Sequence, residues 1–96
     1  MKPSDYVRRG WCQGASAMNG EGLFTLPTNS TATSWCLVGA IYAAYPDSDG
    51  RRQVVFDKLR THRSHPLENM KEMVEWNDDR SRDQWEVAEL LESIGE

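Results

Sequence analysis

The sequence predicts a mainly α (α+β) fold: four to five short helices around a central apolar helix, with one β-hairpin near residues 13–26. Three observations predict it. The run from Thr33 to Ala44 is apolar on nearly every side, the pattern of a helix buried at the centre of a bundle. "NGEG" (Asn19 to Gly22) separates the short runs "ASAM" and "LFTL", and Asn-Gly accepts the positive φ of a tight hairpin turn. Apolar residues then recur at helical spacing twice, near Leu67–Val74 and near Val87–Ile94. Ninety-six residues, 39% hydrophobic and 27% charged, suit one globular domain over residues 1–96. The four tryptophans offset the small size, because each buries a large area.

The elements follow in order. Pro3 to Arg9 reads as a first helix, with Pro3 suited to a first turn, Gly10 as the stop, and Tyr6 and Val7 inward. Gln13 to Leu26 reads as the hairpin, which needs helices to lie against because a lone hairpin is unstable. The polar loop "PTNSTATS" supplies Ser and Thr caps for the helix from Thr33 to Ala44. One side of that helix is Trp35, Val38, Ile41, Tyr42 and Tyr45. The other is small, with Cys36, Gly39, Ala40 and Ala43, so a neighbour can approach closely. "YPDSDG" ends it. Asp49 is a cap for a helix from Arg51 to about Thr61, with Val55, Phe56 and Leu59 inward and Arg51, Arg52, Lys58 and Arg60 in water. After "RSHP", Leu67, Met70, Met73 and Val74 mark the inward stripe of a helix that stops near "WNDD". The last helix turns Val87, Leu90, Leu91 and Ile94 inward, and Gly95 suits its C-cap. Two capping boxes compete for its start, Ser81 with Gln84 and Asp83 with Glu86.

Charge is unevenly placed. Residues 1–66 hold eight Lys/Arg and five Asp/Glu, and residues 67–96 hold three and ten, so +3 and −7 sum to the net −4. "MKPSDYVRRG" lacks the apolar core of a signal peptide, and the longest apolar segment, Trp35 to Tyr45, falls short of a membrane span. The expected location is therefore the cytoplasm, with reduced thiols.

"GWCQGA" (Gly10 to Ala15), "SWCLVGAIYAAY" (Ser34 to Tyr45), "WND" (Trp76 to Asp78) and "EVAELLES" (Glu86 to Ser93) together resemble a family of small uncharacterised bacterial and phage proteins. The family pattern is W-C-x-G-A, W-C-x-x-G-A, W-N-D and an E-V-x-x-L-L helix, in that order, over most of this chain. Two departures stand out. Arg80-Ser81-Arg82-Asp83 replaces the family's Pro-Gly-Arg-Thr, which favours Asp83 over Ser81 as N-cap, and the first helix is shorter. The resemblance implies a fold and a phage or bacterial context, and no assigned chemistry.

The residues with chemical potential each have a structural reading. Cys12 and Cys36 could form a disulfide worth about 3 kcal/mol, but a reducing compartment argues against it. With His62 and His65 they form the only N/S ligand set, without the C-x-x-C spacing of a zinc finger. Cys36, in the first turn of a helix, could be an activated nucleophile, yet nothing in the sequence brings a base to it. Buried core is the preferred reading for both thiols. Asp78 and Asp79 invite a paired-carboxylate reading; a turn in which Asn77 and Asp78 hydrogen-bond local backbone amides, with Trp76 as a packing anchor, explains the segment more simply. Trp11, Cys12, Trp35, Cys36, Trp76 and Asp83 are thus expected as structural anchors. The basic helix Arg51–Arg63 has no aromatics interleaved on its outward basic face, Phe56 lying inward, and the chain is acidic overall, so nucleic acid is not the expected partner.

The leading functional expectation is a non-catalytic protein that binds another protein, without metal or cofactor. One version is a phage-encoded inhibitor of a host nucleic-acid or defence machine, acting through an acidic surface of Glu68, Glu72, Glu75, Glu86, Glu89 and Glu92. The alternatives are a thiol or redox enzyme using Cys36 and a Cys/His metal-binding module.

Overall fold

The computed structural model describes residues 1–96. Its elements are α1 (Pro3–Arg9), β1 (Ala17–Asn19), β2 (Ala32–Trp35), α2 (Leu37–Ala44), α3 (Asp49–Arg60), α4 (Met70–Asp78) and α5 (Gln84–Ser93). The fold is the expected α+β type, five helices with a two-stranded antiparallel sheet. α1 packs on α5 and α2, and α4 packs on α2. One cluster of 17 buried hydrophobic residues draws on every element. Val7, Leu37, Ile41, Leu59, Met73 and Leu91 are among its fully buried side chains.

The sheet differs from the expected hairpin in the partner of its first strand. A turn forms within Asn19 to Gly22, but Asn-Gly is not its centre: Gly22 N–H donates to Asn19 O at 3.0 Å and Asn19 N–H to Leu23 O at 2.9 Å, so Gly20 and Glu21 are the central residues and the positive φ, 78°, falls on Gly22 instead. Met18 bridges Phe24 on that side. The longer ladder, however, joins β1 to β2 in antiparallel register, Ala17 opposite Trp35 and Met18 opposite Ser34. Residues 33–35 therefore belong to a strand, and α2 begins later than periodicity suggests. Cys36 is its N-cap, with Sγ accepting from Gly39 N–H at 3.3 Å. Trp35 consequently lies on the sheet, not on the helix.

Gly39 and Gly10 are required by close approach. A Cβ on Gly39 would stand 1.8 Å from the Ser16 carbonyl oxygen, and one on Gly10 would stand 2.1 Å from that of Thr33. Ser16 O also accepts from Cys36 N–H at 3.1 Å. The small face of α2 thus receives the backbone of the loop before β1.

Other local assignments shift for identifiable reasons. Ser48, not Asp49, caps α3, because its Oγ accepts from Arg51 N–H while Asp49 occupies the first turn. Arg52 is drawn out of water by the Tyr45 and Pro46 carbonyls and Asp49. Tyr42, Met70 and Val74 are exposed rather than inward. α4 instead turns Met73 and Asn77 to the core, four residues apart on one face. Asp83 caps α5 with a complete capping box to Glu86, and Gly95, at φ 82°, follows it.

Candidate functional site: a junction of the Trp-Cys and Trp-Asn-Asp segments

The two Trp-Cys segments lie side by side. Trp11 and Trp35 form a parallel bridge, with Trp35 N–H donating to Gly10 O at 3.0 Å and Cys12 N–H to Trp35 O at 3.3 Å. The end of α4 closes over them. Asn77 is fully buried. Its Oδ1 accepts from Trp11 Nε1 at 2.8 Å and from Leu37 N–H at 3.0 Å. Its Nδ2 donates to Cys12 O at 3.1 Å and to Asp78 Oδ1 at 2.9 Å. All four hydrogen-bonding positions of the amide are used. The bond to Leu37 satisfies one of the orphan donors at the start of α2, beside the one that Cys36 satisfies.

The flanking residues complete the junction. Gln13 Nε2 donates to Asn77 O at 3.0 Å and Asp79 O at 2.9 Å. Gly14 N–H donates to Asp78 Oδ1 at 3.1 Å. Asp79 Oδ1 accepts from Ser81 N–H and Oγ, and the Ser81 hydroxyl, followed by its amide, holds the Asp79 carboxyl below its usual range. Asp79 is therefore tied into a local turn, whereas Asp78 bonds the Asn77 amide and, across the chain, Gly14 N–H, not the local backbone amides expected of it.

Both cysteines are free and buried. Burial pushes the Cys12 thiol up, against a lowering hydrogen bond with Ser34; burial also pushes Cys36 up, against the Gly39 and Val38 amides. The nearby Asp78 carboxylate adds to both increases. A reactive thiol needs the opposite environment.

The histidines lie elsewhere, at a shallow cavity of about 310 Å³ lined in part by His62, His65, Trp76, Arg82, Glu89 and Ser93. No group of three or more His, Cys, Asp or Glu residues is arranged to hold a metal ion. His62 and Ser93 are 2.9 Å apart, but His62 Nδ1 already accepts from Ser64 and His65 N–H groups. In the neutral ring the proton therefore sits on Nε2 and points to Ser93 Oγ, which in turn donates to Leu90 O. That is the reverse of the direction needed to activate a serine.

The other anchors have distinct roles. Trp35 is buried, donates from Nε1 to Pro27 O at 3.0 Å, and meets Tyr6 edge-on. Trp76 is half-buried beneath the Arg82 guanidinium, 4.0 Å from its ring centroid, and its Nε1 has no partner. Arg82 also donates to Trp76 O and Glu86. Among the six glutamates, Glu86 serves the cap and Arg82, Glu92 pairs with Arg8, Glu75 with Lys71, and Glu72 accepts from local donors around Asn69. Glu68 and Glu89 are exposed, and their carboxylates have no hydrogen bond or ion pair. The expected turn role of Asn77 is replaced by a buried one, with Trp11, Leu37 and Cys12 as partners far along the chain; Gln13 and Arg82 have no signal of their own in the sequence.

No helix is long and apolar enough to cross a membrane. Neither a curated protein nor a solved structure matches the chain. Residues 5–95, which contain all the segments of the junction, match the model of a family of unknown function, DUF6197, and the chain belongs to that family.

Proposed function

We propose that the chain is a non-catalytic protein-binding domain of the bacterial or phage-infected cytoplasm. In this reading it inhibits a host nucleic-acid or defence machine by offering carboxylates to a basic groove. The observation that carries the non-catalytic part is the hydrogen-bond inventory of the junction. Asn77, Gln13 and Asp78 direct their polar atoms at protein groups, and the thiols are buried with raised pKa values. Support for an acidic docking surface comes from the excess of carboxylates over residues 67–96 and from Glu68 and Glu89, whose charge no internal cation neutralises. Such charge speeds association with a basic partner and makes it salt-sensitive.

Charge reversal at Glu68, Glu75 and Glu89 tests the reading while sparing the cap at Glu86 and the Arg8–Glu92 pair. Tagged wild-type protein retains a host protein at low salt and releases it as salt rises. The triple variant keeps the wild-type melting temperature and loses that capture. Equal capture by both proteins rejects the acidic surface.

A further inference from the structure

We propose that the edge formed by Leu23 to Leu26 pairs with the same edge of a second copy, joining two molecules about a two-fold axis at Thr25. Leu23, Phe24 and Leu26 are 58%, 76% and 69% exposed, an unusual concentration of large apolar side chains in water. Their backbone is already arranged as an extended edge. Asn19 N–H donates to Leu23 O, Thr25 N–H donates to Ala17 O, and Met18 bridges Phe24. Leu23 and Thr25 therefore direct their backbone groups at β1. By the alternation of an antiparallel ladder, Phe24 directs both its groups outward and Leu26 its N–H, whereas Leu26 O accepts from Asn29 N–H at 3.0 Å. Phe24 N–H and C=O and Leu26 N–H take part in no backbone hydrogen bond. Pro27 holds Leu26 extended and, lacking an N–H, ends the ladder.

This edge is complementary to itself. With Thr25 opposite Thr25, Phe24 faces Leu26 of the second copy, and Leu26 N–H can donate to Phe24 O across the axis, twice over by symmetry, while Leu26 O, which already accepts from Asn29 N–H, has one lone pair left for Phe24 N–H. Charge selects the same occupant. Glu21 is the only charged residue between Gly10 and Pro46, whereas each copy carries a net −4. Contacts through the glutamate-rich helices would oppose like charges, and the edge is where two copies meet with little repulsion. The register sets Glu21 toward the Asn29 end of the second copy, not against its own counterpart. Charge-poor, aromatic-containing surface is the composition of an interface core, and an uncovered apolar edge is a template for strand pairing.

Sedimentation of the full chain up to about 200 µM, the range for a small interface, reads the dimer directly. Phe24→Lys raises the dimer dissociation constant at least about tenfold, because it sets charge against an apolar edge, and leaves the circular dichroism spectrum unchanged. Thr25→Cys forms a disulfide-linked dimer on mild oxidation, whereas Ser30→Cys does not, and the two buried native thiols do not compete. A wild-type protein that stays monomeric throughout overturns the proposal, even if it takes up a foreign extended peptide instead. An unchanged dimer in Phe24→Lys, or no cross-link in Thr25→Cys, also overturns it.

Discussion

Asn77 concentrates much of the structural information of the chain in one amide. Replacing it by Ala strands Trp11 Nε1, Leu37 N–H and Cys12 O in a buried site. Each unsatisfied group costs about 1–3 kcal/mol, so the variant loses roughly 3 kcal/mol or more; urea unfolding measures it. Trp35→Ala removes a buried anchor and costs about 3–5 kcal/mol, and Trp76→Ala costs less because the ring is half-buried. The cysteines make a separate, chemical prediction. Burial and raised pKa values leave both unlabelled by iodoacetamide at neutral pH until denaturant is added; rapid labelling of the native protein would restore the thiol-enzyme reading. The burial of Trp35, Cys12 and Cys36 was legible because bulk and apolarity appear in composition. Asn77 was not, since a buried amide differs from a turn amide only in what surrounds it.

At the scale of elements, α2 depends on the Ser16 carbonyl approaching Gly39. Gly39→Ala improves helix propensity by up to about 1 kcal/mol, yet the methyl meets backbone that has no rotamer to yield. The expected result is net destabilisation by about 1–3 kcal/mol, seen as a lower urea midpoint. Asp83→Ala, by contrast, loses an N-cap and costs about 1 kcal/mol. The caps and the small face of α2 were readable from local sequence. The start of α2 was not, because Thr33 to Trp35 satisfy helical periodicity and β pairing equally, and the ladder to Ala17 and Met18 decides between them. The inward face of α4 was misassigned for a related reason: periodicity favours Met70 and Val74, while hydrogen bonding draws polar Asn77 inward and rotates the stripe.

For the whole molecule, Glu96 joins four helices. It follows α5, its carbonyl accepts from Ser4 N–H and Oγ of α1, and its carboxylate accepts from Tyr45 Oη after α2 and Lys58 Nζ of α3. Burial alone would raise its pKa, but the hydrogen bonds from Lys58 and Tyr45 outweigh it and hold it below the usual 4.5. The folded protein therefore binds this proton less readily than the unfolded chain. The stabilisation is complete above the ordinary glutamate range and is lost as pH falls through the lowered folded value. Lys58→Met should flatten that acid limb in a series of melting temperatures against pH, with the two proteins converging in strong acid.

The junction at Asn77 also has a place in time. Its bonds to Trp11, Cys12 and Leu37 span 66, 65 and 40 residues of sequence, so closing it requires large loops whose entropy must be lost first. Short-range structure, the Asn19–Leu23 turn and the capped α5, can form before it. The amide is then a latch that locks late, and its removal should act on the exit from the native state rather than on the approach to it. In a chevron plot, Asn77→Ala should accelerate unfolding while the refolding limb stays near wild type. A slowed refolding limb would place the latch in the folding nucleus instead.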